Sequence, residues 1–86
     1  MMPKSYLSED RKRGLSGNAL FAAESAAADR ADDEEAAWAW LRLAEVPAHA
    51  LLALKRVEGA DYIRSKGLKT EAVEKAYGRD WLNRKI

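Results

Sequence analysis

Apolar and polar positions along this chain recur with the period of an α-helix, and no stretch alternates as a strand would. From Asn18 to Arg30, Leu20, Ala23, Ala27 and Ala31 form one periodic face with Phe21 beside it, which predicts a first helix capped by Ser16 or Asn18. Ala36, Ala37, Trp40, Leu43 and Ala44 form a second stripe, which predicts a helix from Asp33 to Glu45. Asp32 can form the break and cap between the two, with Asp33, Glu34 and Glu35 at the positive end of the second helix; the alternative is one helix running through residues 18–45, since nothing there is Gly or Pro. Pro47 fits the first turn of a third helix, whose apolar face reads Ala50, Leu51, Leu54 and Val57. Gly59 either ends that helix or lies inside it, in which case it runs to Lys66 and stops at Gly67. Thr70 then opens a helix from Glu71 to Tyr77, with Val73 and Ala76 inward. Gly78 closes it, and Asp80 starts a last turn holding Trp81 and Leu82.

The expected fold is therefore all-α, a small bundle of three to five helices with a partly flexible N-terminal arm. Residues 1–16 mix charge with turn formers and read as that arm, with one helical turn begun by Ser8; residues 17–86 read as a single helical domain. The segment from Met1 to Leu7 has no apolar run of the signal-peptide kind. The most apolar stretch, Ala36 to Val57, carries Arg42, Glu45, Pro47 and His49 and does not read as a membrane span. A cytoplasmic protein with no membrane partner is the expectation.

Composition narrows the function classes. With 86 residues and no cysteine, disulfides, thiolate metal sites and a thiol nucleophile are excluded. A chain of this size builds a modest core and leaves little room for a deep substrate cavity. His49 is the only histidine, and the run Asp32 to Glu35 lacks the alternation and the glycine of a calcium loop. Gly14-Leu15-Ser16-Gly17 reads as a turn and not as a phosphate loop. No nucleophile has a base at a useful spacing, so the expectation is a protein that is not an enzyme and uses neither cofactor nor metal.

The formal net charge of +1 conceals a separation. Glu24 to Glu45 carries net −5, and Leu51 to Ile86 carries net +4. Charge divided in this way orients a partner and raises association rates. Trp38 and Trp40 lie about 200° apart on a helix, so they face different neighbours. With Trp40 in the core, Trp38 becomes a candidate anchor beside Asp32, Asp33, Glu34, Glu35 and Arg42. These six residues are the expected partner-binding set. The expected function is a small docking protein acting on a partner protein, as a regulator or inhibitor. Its acidic segment would fill a basic groove of a nucleic-acid-handling complex. By composition alone, phage and plasmid inhibitors of host defence, anti-CRISPR proteins among them, are comparable.

A second reading starts from Asp61-Tyr62-Ile63-Arg64-Ser65-Lys66-Gly67-Leu68-Lys69-Thr70-Glu71-Ala72-Val73-Glu74-Lys75-Ala76. Gly67 at a turn, Leu68 as an apolar plug, Thr70 as a cap and Val73 facing inward make this stretch resemble the helix-turn-helix of bacterial repressors. The resemblance implies a DNA-binding regulator contacting backbone through Lys69, Lys75, Arg79, Arg84 and Lys85. The sequence departs from the pattern at bulky Ile63, at charged Lys66, and at Glu71 and Glu74, which repel phosphate. A homodimer pairing its charge halves head to tail is the third expectation.

Overall fold

In a computed structural model that describes residues 2–86, six helices and no strand are present among the described residues. They are α1 (Glu9–Lys12), α2 (Gly17–Arg30), α3 (Glu34–Leu43), α4 (Ala48–Glu58), α5 (Ala60–Lys66) and α6 (Glu71–Tyr77). The all-α class is as expected, but the count exceeds three to five for two local reasons. The Ser8 hydroxyl accepts from the Arg11 amide at 3.3 Å and closes a complete turn, α1. Gly59, at φ 92°, then divides the stretch 48–66 into α4 and α5. The chain forms two compact units, one ending at Ala44 and one spanning Glu45–Ile86.

The first unit is a hairpin of α2 and α3. The turn between them is a Schellman motif: the Asp33 amide donates to the Ala28 carbonyl at 3.0 Å and the Asp32 amide to the Asp29 carbonyl at 3.0 Å. Asp32 occupies the left-handed position at φ 58°, which Asp tolerates better than most side chains. The cap of α3 therefore shifts one residue from the expected Asp32 to Asp33, whose carboxylate accepts from the Ala36 amide at 3.1 Å. The stripe of α3 buries Ala36, Ala37, Trp40 and Ala44, with Leu43 half-buried. On α2 the buried residues are Glu24, Ala27 and Ala28, whereas Ala31 is exposed beyond the helix end. Ser25 Oγ donates to the Ala37 carbonyl at 2.8 Å and ties the two helices together.

In the second unit, α5 and α6 both pack on α4. Pro47, at φ −66°, precedes α4 as its N-cap. The face of α4 centres on Leu51 and Leu52, with Leu54 half-buried. Val57 is 78% exposed, contrary to its expected place on that face, because it lies well over 100° around the helix from both buried leucines. Gly67 ends α5 in the left-handed conformation at φ 66°. Leu68 and Val73 are buried, Ala76 is exposed, and Lys69 bridges in parallel to Glu45.

Candidate functional site

One face of the α2–α3 hairpin holds a groove of about 520 Å³. Its floor is made of small side chains, Ala22, Ser25 and Ala26 on α2 and Ala37 on α3. Trp38 and Leu41, one helical turn apart, give it an apolar wall. Asp29, Asp32 and Glu34 stand at the end nearest the interhelical turn. None of these three carboxylates enters an ion pair among the described residues. The result is an apolar trough with a concentration of uncompensated negative charge at one end.

Of the six residues expected to bind a partner, the groove gathers Asp32, Glu34 and Trp38. Glu35 and Arg42 are exposed but do not line it. Asp33 is committed elsewhere, capping α3 and accepting a hydrogen bond from the Tyr6 hydroxyl. Trp40 is 3% exposed, stacks on Phe21 with centroids 6.0 Å apart, and donates from Nε1 to the Lys4 carbonyl at 2.8 Å. Trp38 is half-buried. Sequence reasoning missed the α2 side of the groove. Ala22, Ser25, Ala26 and Asp29 have the spacing of a helical face, but alanines lie on several faces of α2, and a neighbouring stripe was equally periodic.

The second missed residue is Glu24, 1% exposed in mid-helix. Its Oε1 accepts from the amides of Tyr6 at 2.8 Å and Leu7 at 3.2 Å, and its Oε2 accepts from the Ser5 hydroxyl. An acceptor-only carboxylate thus meets three donors from the N-terminal segment and seats Leu7 in the core. The available signal was its position four residues from both Leu20 and Ala28, on an otherwise apolar face.

The Tyr6–Asp33 hydrogen bond has a consequence for pH. Together with the Ala36 amide and nearby Lys4, it holds Asp33 below the ordinary 3.8, against a small opposing effect of burial. The same bond, with desolvation and the Asp33 charge, raises Tyr6 above the ordinary 10.0. A lowered carboxyl stabilises above 3.8, and that contribution is lost as pH falls through the lowered value. A raised phenol stabilises below 10.0, and that contribution is lost as pH rises through the raised value. Tyr6→Phe is therefore expected to shrink both the alkaline and the acid limb of the urea midpoint plotted against pH. A difference between wild type and variant that does not change with pH would contradict the pairing.

The five cations of the DNA reading are scattered. Lys69 lies in the α5–α6 loop, Lys75 on α6, and Arg79 in the turn after it, all exposed. Arg84 donates to the Tyr77 carbonyl at 2.7 Å and lies 3.9 Å from Asp80. Only Arg84 and Lys85 share a concavity, about 340 Å³, with Lys55 and Arg56, and the Lys55 ammonium is engaged by the Trp81 and Arg84 carbonyls. Among the described residues, no group of three or more His, Cys, Asp and Glu converges on a metal position, and no helix is long and apolar enough to cross a membrane.

The fold and groove define an all-α protein with an acid-ended, two-helix trough. No family model matches the sequence, and no similar curated protein or solved structure is found.

Proposed function

We propose that this is a non-enzymatic, cytoplasmic docking protein that acts by binding a partner protein through the α2–α3 face, as a regulator or inhibitor. The supporting observation is the groove itself. An apolar floor and a half-buried tryptophan lie beside three carboxylates that have no ion-pair partner within the described residues. Trp38 supplies contact area at low rotamer cost, and the carboxylates supply orientation and association rate. A basic, nucleic-acid-handling surface is the kind of target that such charge suits.

The test is capture of the partner from extracts by the immobilised full chain. Trp38→Ala combined with Asp32→Asn and Glu34→Gln is expected to reduce capture by at least about tenfold, in the range of a hot-spot loss. The helical circular dichroism should be unchanged. Asp33 is kept in this variant because it caps α3 and holds Tyr6. Capture at wild-type level would overturn the reading.

The buried positions of Leu68 and Val73 around left-handed Gly67 favour a second reading, DNA binding by the second unit. That reading requires a gel shift that weakens steeply between about 50 and 200 mM salt.

A further inference from the structure

We infer that the groove seats a basic amphipathic α-helix of the partner, with its cationic end over Asp29, Asp32 and Glu34 and its apolar side chains against Trp38 and Leu41. This inference rests on the docking reading and names the partner's chemistry. Three features select the occupant.

The first is the floor. Ala22, Ser25, Ala26 and Ala37 have no bulk to hold another backbone away, so a third helix can approach to about 8–10 Å between axes. The walls then require the incoming helix to bring the larger side chains, of leucine or methionine size.

The second is length. From Glu34 to Leu41 on α3, the groove runs about 10 Å, or two helical turns. Two turns admit one cationic turn followed by one apolar turn, with anchors at i and i+3 or i+4. An extended peptide is a poorer fit. The groove is lined by helices whose backbone groups are already paired, so a strand laid in it would leave its own amides and carbonyls unmatched.

The third is charge. The lining residues include three acids and no base, which excludes nucleic acid as the occupant and complements lysine or arginine. A second copy of the chain offers no matching helix. Its exposed large apolar side chains, Met2, Val57, Tyr77 and Ile86, lie on separate segments and form no i, i+3/i+4 stripe.

The probe is a fluorescein-labelled helical peptide of about 15 residues, long enough for partial helicity in isolation. It carries arginines in one terminal turn and leucines at i, i+3 and i+4 in the turn beyond them. The controls are a scrambled sequence and a version with glutamate replacing arginine, and binding is read by fluorescence anisotropy. The full chain is expected to bind the probe and not the controls. Asp29→Asn with Asp32→Asn and Glu34→Gln is expected to weaken binding by at least about tenfold and to reduce its salt dependence. Ala26→Arg fills the floor from an exposed position and is expected to abolish binding with unchanged circular dichroism.

No binding by the wild-type chain, equal binding of either control, or wild-type affinity in Ala26→Arg would overturn the inference. So would sedimentation showing a dimer that Ala26→Arg dissolves, since the groove would then be a self-interface. If the peptide fails while capture from extracts still requires Trp38, Asp32 and Glu34, only the helical occupant is wrong. If capture is also indifferent to them, the docking reading falls with it.

Discussion

Glu24→Ala is expected to lower the unfolding free energy by about 2–4 kcal/mol, the range for removing the acceptor of several buried, charge-assisted hydrogen bonds. Glu24 is 1% exposed, and its two oxygens satisfy the Tyr6 and Leu7 amides and the Ser5 hydroxyl. Alanine leaves these donors without a partner and opens space beside Ala27 and Ala28 in the packed face of α2. The segment can relieve part of the cost by lifting into water, but Leu7 then leaves the core and the Trp40 Nε1–Lys4 hydrogen bond is lost with it.

Glu24→Gln separates the charge from the geometry. Its oxygen can still accept from both amides, while its NH₂ can donate to a reoriented Ser5 hydroxyl. The loss for Gln should be about 1 kcal/mol, the typical value for exchanging charged for neutral hydrogen bonds. The ordering wild type above Gln above Ala in urea unfolding is the expected result, with amide exchange at Tyr6 and Leu7 faster in Ala. An alanine loss below about 1 kcal/mol, typical of a surface substitution, would mean that the segment is not held by Glu24.

Helix placement was largely legible because the signals were local. Pro47 and the glycines at 59, 67 and 78 act on their own backbone, and each stands at a boundary in the structure. The break at Asp32 is only one of two readings of residues 18–45, because no Gly or Pro marks it; the break and its cap at Asp33 depend on Asp32 taking the left-handed position that completes the Schellman turn. Long-range pairings were not legible. Nothing in the periodicity of α2 says that Glu24 will meet amides 17 and 18 residues away. The candidate site was half legible for the same reason. Trp38, Asp32 and Glu34 stand out on α3 and its approach, whereas the α2 floor depends on which of several alanine faces turns toward α3. Ser25, with its hydroxyl on the Ala37 carbonyl, marks that rotation only once the partner helix is in place.

Trp81→Ala is expected to cost about 3–5 kcal/mol, as for truncation of a buried tryptophan. A chain of this length has a total stability of about 4–13 kcal/mol, so the variant should lose much of it and melt well below wild type. Trp81 is 1% exposed although it lies only five residues from the last residue, Ile86. Gly78, at φ 94°, turns the chain out of α6, and the Trp81 amide donates back to the Gly78 carbonyl at 3.3 Å. Lys55 on α4 then clamps the turn. Its ammonium donates to the Trp81 carbonyl at 2.6 Å and to the Arg84 carbonyl, and it lies 6.0 Å from the centre of the indole ring. Trp81 is therefore part of the core of the second unit, and its turn is held by the buried ring and by a cation from α4. Lys55→Met keeps the stem and removes the three donors, so it should cost about 1–3 kcal/mol through the two carbonyls left unpaired. Because Lys55 and Trp81 act on the same turn, the double variant should lose less than the two single losses combined. Thermal unfolding followed by circular dichroism measures all three. Strict additivity, or a Trp81→Ala loss below about 1 kcal/mol, would show the turn to be a surface ornament and not a wall of the core.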